Sequence, residues 1–193
     1  LNLSVSDTEL EEVLRQQRLS DSGEQSEAAY YSTIRDYYGW SADEYREITR
    51  TKLLRQKVAF AIDERAESTA GTVDARIKAG ATNLRTLSED LNEDRAGSVR
   101  FGALGTLPRS NQDGGITAAA AELEEGEISG AIRSTTGDGY FFIKLLEKSS
   151  REVNYEHIQV PLTVFLQQFQ ETEADAERTD VFIDIPEIEA PQQ

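Results

Sequence analysis

Cysteine and methionine are absent from the 193-residue chain, histidine and tryptophan occur once each, and proline occurs four times. Without cysteine there is no disulfide framework, no thiolate nucleophile and no cysteine-held metal. A single histidine leaves a transition metal without its usual nitrogen ligands, so neither a metal nor any other cofactor is expected. No stretch approaches the roughly 18 apolar residues of a membrane span. The opening "LNLSVSDTEL" has neither the basic region nor the apolar run of a signal peptide. Beginning at Leu1 and lacking methionine, the sequence reads as a mature form or an excised part, which places any targeting segment or membrane anchor upstream. Positive charge is scarce as well: 20 Lys plus Arg face 36 Asp plus Glu, a formal net charge of -16. Such a chain repels polyanions, which excludes nucleic acid as a partner, and its Lys-poor surface suits ordinary solubility or a high-salt habitat.

What is present is 38% hydrophobic and 8% aromatic residues, enough for one core and a smaller helical subdomain. Ser6 with Glu9 forms a capping-box pattern before Leu10, Val13 and Leu14, which predicts a first helix. Tyr30, Ile34, Tyr37 and Tyr38 recur at helical spacing until Gly39 offers a stop, predicting a second. Ser41 with Glu44 repeats the capping box, with Trp40 able to staple onto Tyr45, and a third helix runs through Leu54, Val58 and Ile62. The small, polar "ESTAGTV" at 67–73 reads as a linker. Short helices are expected at "TVDARIKAG" and "TNLRTLSEDL". From "GSVRFGALGTL" onward, glycines, a "PRSNQDGG" loop, an Ala-rich helix at 116–123 and alternating segments at 128–134, 139–147 and 153–160 predict a small antiparallel sheet flanked by helices. "TTGDGY" has the chemistry of a hairpin turn. "TVFLQQFQETEADAER" predicts a last helix, whose Phe165, Leu166 and Phe169 need a surface to cover, and "VFIDI" predicts a short strand.

Taken together, these segments resemble a folding factor of the SurA or PrsA type, a helical chaperone region around a parvulin-like (PpiC-type) peptidyl-prolyl isomerase domain. "SDTELEEVLRQQ" and "YYGWSADEYREITRTKLLRQKVAFAI" are similar to the N-terminal region of that group. Leu84, Leu87 and Ser88 stand where parvulins have a Phe-x-x-Leu-Ala helix. "FGALG" stands for Gly-Gly-x-Leu-Gly, and "LEEGEIS" and "GYFFIKL" match the approach to the third strand and the last strand. One piece is displaced: the His-Ile-Leu-Val strand that opens a parvulin is missing between Ile62 and Val73, and its signature occurs as "EHIQV" after the last strand. The resemblance therefore implies a circular permutation, with 153–160 in the first-strand slot beside 139–147. The implied fold class is α+β. Its parts are a helical region at 1–66, a parvulin-like domain at 67–162, and a C-terminal helix and tail at 163–193 that pack on the N-terminal region.

Isomerisation needs no covalent step, only an apolar pocket that stabilises the twisted amide over a barrier of about 18–20 kcal/mol. By the resemblance, His157 stands for the first parvulin histidine and Asp94 for the acidic residue, which makes these two the candidate catalytic pair. Phe141 occupies the second histidine's position. Tyr140, Phe141, Ile116 and Gln112 are the candidate substrate-binding residues, although Ile116 and Ala121 replace the usual phenylalanines and "SNQDGGI" replaces the Gln-Met-x-Pro-x-Phe segment. Tyr30, Tyr37, Tyr38 and Trp40 are candidates for a client-binding cradle. The expected role is a non-catalytic or weakly catalytic chaperone or scaffold holding unfolded or extended client polypeptides outside the cytoplasm. The alternatives are an active prolyl isomerase and a structural subunit that holds one fixed partner.

Overall fold

The computed structural model describes residues 1–20, 23–94 and 98–174. Its N-terminal helices start and stop where the local chemistry dictates. In α1 (Asp7–Gln17), the Ser6 hydroxyl accepts from the Glu9 amide at 3.3 Å while the Glu9 carboxylate accepts from the Ser6 amide at 2.9 Å. A two-residue hairpin, β1 (Leu19–Ser20) and β2 (Gly23–Glu24), leads to α2 (Glu27–Tyr38), which Gly39 ends in the left-handed conformation at φ 74°. Ser41 and Glu44 close a second capping box on α3 (Ala42–Ile62), and the Trp40 ring stacks over Tyr45 at 6.4 Å between centroids. Leu10 and Leu14 are fully buried, and α1 and α2 both pack on α3.

The segment 67–73, expected as a linker, lies inside α4 (Glu64–Lys78). Ala66, Thr69, Ala70 and Val73 form one buried stripe at helical spacing. The Thr69 and Thr72 hydroxyls donate to the carbonyls of Arg65 and Ser68, so the polar residues are satisfied within the helix. Small side chains thus mark close packing there. α5 (Leu84–Asp94) follows, then β3 (Arg100–Pro108), α6 (Ile116–Glu122), β4 (Ile132–Arg133), β5 (Gly139–Lys148), β6 (Glu152–Pro161) and α7 (Val164–Ala174). Of the segment expected at 128–134, only β4 and an isolated bridge from Ile128 to Lys144 are strand-like. The "VFIDI" segment lies outside the described residues.

The sheet order is β3-β6-β5-β4, every pair antiparallel, so β6 lies inside the sheet and pairs with β5 from Gly139↔Pro161 to Lys148↔Val153. Strand alternation then sorts the core. Tyr140, Phe142, Ile158 and Val160 face α4 and α5 with Ala66, Val73, Leu84 and Leu87. Phe141, Ile143, Leu145, Val153 and Tyr155 face α6 with Ile116, Ala120 and Ala121. Phe60 of α3 meets Tyr140 edge-on at 5.1 Å, tying the helical region to the first of these faces.

A second tie is Asp63, only 1% exposed at the α3–α4 junction. Its Oδ1 accepts from the Ala66 amide at 2.9 Å, and its Oδ2 accepts from the amides of Thr163 at 2.8 Å and Val164 at 3.2 Å. One buried carboxylate therefore caps the first turns of both α4 and α7, and α7 packs on α3.

Candidate functional site

His157 sits on the α6 face of β6, opposite Ile143 of β5 and Gly102 of β3. Its ring lies 5.5 Å from the Phe141 ring and 6.1 Å from that of Tyr155. On the third side is Gly102, where an added Cβ would come within 2.5 Å of the imidazole Cε1 and 2.6 Å of Nε2. The glycine is thus the seat of the ring. Nδ1 is buried and has no hydrogen-bond partner. Burial holds His157 below the ordinary histidine pKa, with the Asp113 charge pulling weakly the other way, so the ring is neutral near pH 7.

The polar group that organises this face is one the sequence reading passed over. Asp113, in the loop before α6, accepts from the Tyr155 hydroxyl at 2.8 Å, the Thr117 amide at 2.9 Å, the Thr117 hydroxyl at 2.5 Å and the Asn111 amide at 3.1 Å. Burial raises its pKa, but these hydrogen bonds together outweigh the burial and leave the carboxyl below its ordinary value. Tyr155 is pushed up to about 12, mainly by burial, and remains a donor. The only sequence sign of this network was an Asp four residues before a Thr at a helix start. Its Tyr155 partner is 42 residues away.

The sequence-predicted residues do not converge. Tyr140 faces α4 and α5, across the sheet from His157, and is corrected out of the site by strand alternation. Gln112 is exposed and lines a cavity with Val13, Thr49 and Leu53 instead of meeting the His157 ring. Phe141 and Ile116 do lie on the His157 face, but only 7% and 3% exposed, packed into the core under α6. Ala121 is buried beside them. Asp94 is the last residue of α5, and its side chain lies outside the described residues. The aromatic cluster divides. Tyr30 is half-buried, its hydroxyl 2.9 Å from that of Tyr45 and both hydroxyls donating to Gln17 at 3.1 Å, so it belongs to the helical packing. Tyr37 and Tyr38 are 80% and 52% exposed, and Tyr38 stacks on Trp40 at 4.8 Å.

A separate depression of about 800 Å³ opens between the N-terminal segment, α1, α3 and the end of β4, lined by Leu3, Val5, Val13, Leu53, Phe60 and Arg133 among others. Among the described residues no group of His, Cys, Asp and Glu is placed to hold a metal ion, and no helix is long and apolar enough to cross a membrane.

A four-stranded antiparallel sheet with helices on both faces and a histidine on an interior strand is the arrangement of a parvulin-like domain. Residues 55–147 match the family model described as Rotamase, the PPIC-type PPIASE domain, so this part of the chain is parvulin-like of the PpiC type. Up to four-fifths of the chain is similar to proteins named Chaperone SurA. It is 23% identical over 158 residues to that of Shewanella frigidimarina, covering 80% of this chain and 36% of the relative. It is 26% identical over 91 residues to those of Yersinia pestis and Yersinia pseudotuberculosis, covering 47% of this chain and 21% of each relative. The chain thus spans well under half the length of these curated relatives. No solved structure gives a significant match.

Proposed function

We propose that the chain is a folding factor that holds extended client polypeptides outside the cytoplasm, with its parvulin-like domain serving as scaffold more than as isomerase. The observation that carries this reading is the closure of the His157 face. The side chains at the proline-contact positions, Phe141 and Ile116, are core residues, and Tyr155, 1% exposed, fills the space between them and Asp113. His157 itself is half-buried, and a prolyl ring at its imidazole would find Phe141 and Ile116 packed into the core instead of lining an open pocket, while an uncharged histidine with a buried Nδ1 offers it little polarisation. The exposed Tyr37 and Tyr38, with the half-buried Trp40 stacked on Tyr38, supply flat aromatic surface for apolar client segments. The interior position of β6, antiparallel to β5, supports the permuted reading, in which a turn at 149–151 returns the chain into the first-strand slot. Similarity to proteins named Chaperone SurA supports the extracytoplasmic folding role.

The test is a proline isomerisation assay on the purified chain beside an assay of aggregation suppression with an unfolded client. Suppression with negligible isomerisation is expected. The match of residues 55–147 to the PPIC-type domain favours a second reading, an active isomerase, in which His157, beyond the matched residues, is the candidate catalytic group. Turnover that disappears in His157→Ala establishes that reading and removes the first.

A further inference from the structure

We propose that the depression between α1, α3 and the end of β4 is a docking groove for the C-terminal end of an extended apolar polypeptide, whose terminal carboxylate is received by Arg133. The inference rests on the folding-factor reading and gives it a location. The volume of about 800 Å³ is walled by Leu3, Val5, Val13, Leu53 and Phe60, the mix of apolar wall and few polar groups that marks a binding cleft between structural units. A neighbouring cavity of about 250 Å³ shares Val13, Leu53, Gln56 and Thr135 with it. The hollow therefore runs on along α3 instead of closing round a compact ligand, which suits an extended chain.

Charge decides which part of such a chain it takes. Lys57 in the groove is committed, bonded to Glu9 at 2.5 Å and to the Ser4 carbonyl at 2.8 Å. Of the lining carboxylates, Glu9 is held by Lys57 and Ser6, Glu12 by Arg15 and Gln16, and Glu67 stands exposed on the α4 wall. Arg133 has no carboxylate or carbonyl partner among the described residues, in a chain where acids outnumber bases 36 to 20. Its guanidinium lies over the rings of Phe60 at 5.5 Å and Tyr140 at 5.7 Å, contacts that leave the N–H groups of its planar fork open to an acceptor. A carboxylate completes that fork with two parallel hydrogen bonds. A chain terminus carries this charge on the backbone itself, so a segment whose side chains are all apolar can present it at its end.

The probes are fluorescein-labelled decapeptides of alternating Ser, Val and Phe, in three forms: free carboxylate, C-terminal amide, and amide with one internal Glu. Fluorescence anisotropy with the whole chain is expected to show the free acid binding about tenfold tighter than the amide. Arg133→Gln should erase that difference, and Ala61→Trp, which adds bulk on the α3 wall, should weaken both forms. Positions 61 and 133 are exposed, so neither substitution opens a cavity in the core; Arg133→Gln gives up only the guanidinium contacts with Phe60 and Tyr140. Equal binding of acid and amide, or an unaffected Ala61→Trp, overturns the proposal, and a Glu amide that matches the free acid overturns its terminal carboxylate. A chain that suppresses client aggregation yet binds none of the peptides overturns the groove alone. One that binds the free acid yet suppresses nothing overturns the folding-factor reading alone.

Discussion

The histidine face and the α1–α3 groove of this molecule are built in opposite ways. Around His157 every neighbour is committed: Ile143 and Tyr155 are at most 1% exposed, Gly102 is pressed against the ring, and the polar atoms of Asp113 are consumed by Tyr155, Thr117 and Asn111. Along α1 and α3 the walls are half-exposed aliphatic side chains, and Arg133 is left without an acid. Under the proposed function, a histidine in the right sequence context is not enough for a site, and uncommitted groups around an open volume supply one.

The contrast is broken most severely by truncation. Ile143→Ala, on the closed face, should cost about 2–5 kcal/mol because the cavity cannot collapse, whereas Leu53→Ala on the groove wall should cost less than about 1 kcal/mol; urea unfolding of both variants measures the gap. Equal losses would show that the groove is as tightly packed as the histidine face. Next in size is Gly102→Val, whose branched side chain must push the imidazole off its seat, with an expected loss of about 1–3 kcal/mol and a shifted His157 ring resonance. Tyr155→Phe keeps the ring and removes a donor from Asp113. Stability should fall by about 1–2 kcal/mol, and the Asp113 carboxyl, observed by NMR, should titrate higher than in the parent chain. The smallest effect is on pH dependence. Since burial depresses the folded-state pKa of His157, the folded protein resists protonation, and its stability should decline as pH falls below about 6.5 through that lowered value. His157→Gln should flatten this decline relative to the parent, and thermal melts of both chains between pH 5 and pH 8 check it.

Much of the fold was legible because local chemistry and global packing agree. Ser6 with Glu9, Gly39, and Ser41 with Glu44 bound the first three helices as their capping patterns indicate, and alternation in "GYFFIKL" and "VNYEHIQV" marks the two central strands. The misreading at 67–73 took small size for flexibility, although Ala66, Thr69, Ala70 and Val73 already stood at helical spacing. Placing Tyr140 beside Phe141 in one site ignored the two-residue period that sends them to opposite faces. The Asp113 network, the double cap by Asp63 and the groove were not legible, because each joins segments from tens to about a hundred residues apart whose pairing no local pattern encodes.

The central claim is that function lies in the open groove and not on the closed histidine face. Aggregation suppression of one unfolded client, compared between Ala61→Trp and His157→Gln, tests it directly. The account predicts strong loss in the groove variant and near-parental suppression in the histidine variant; loss confined to His157→Gln would contradict it.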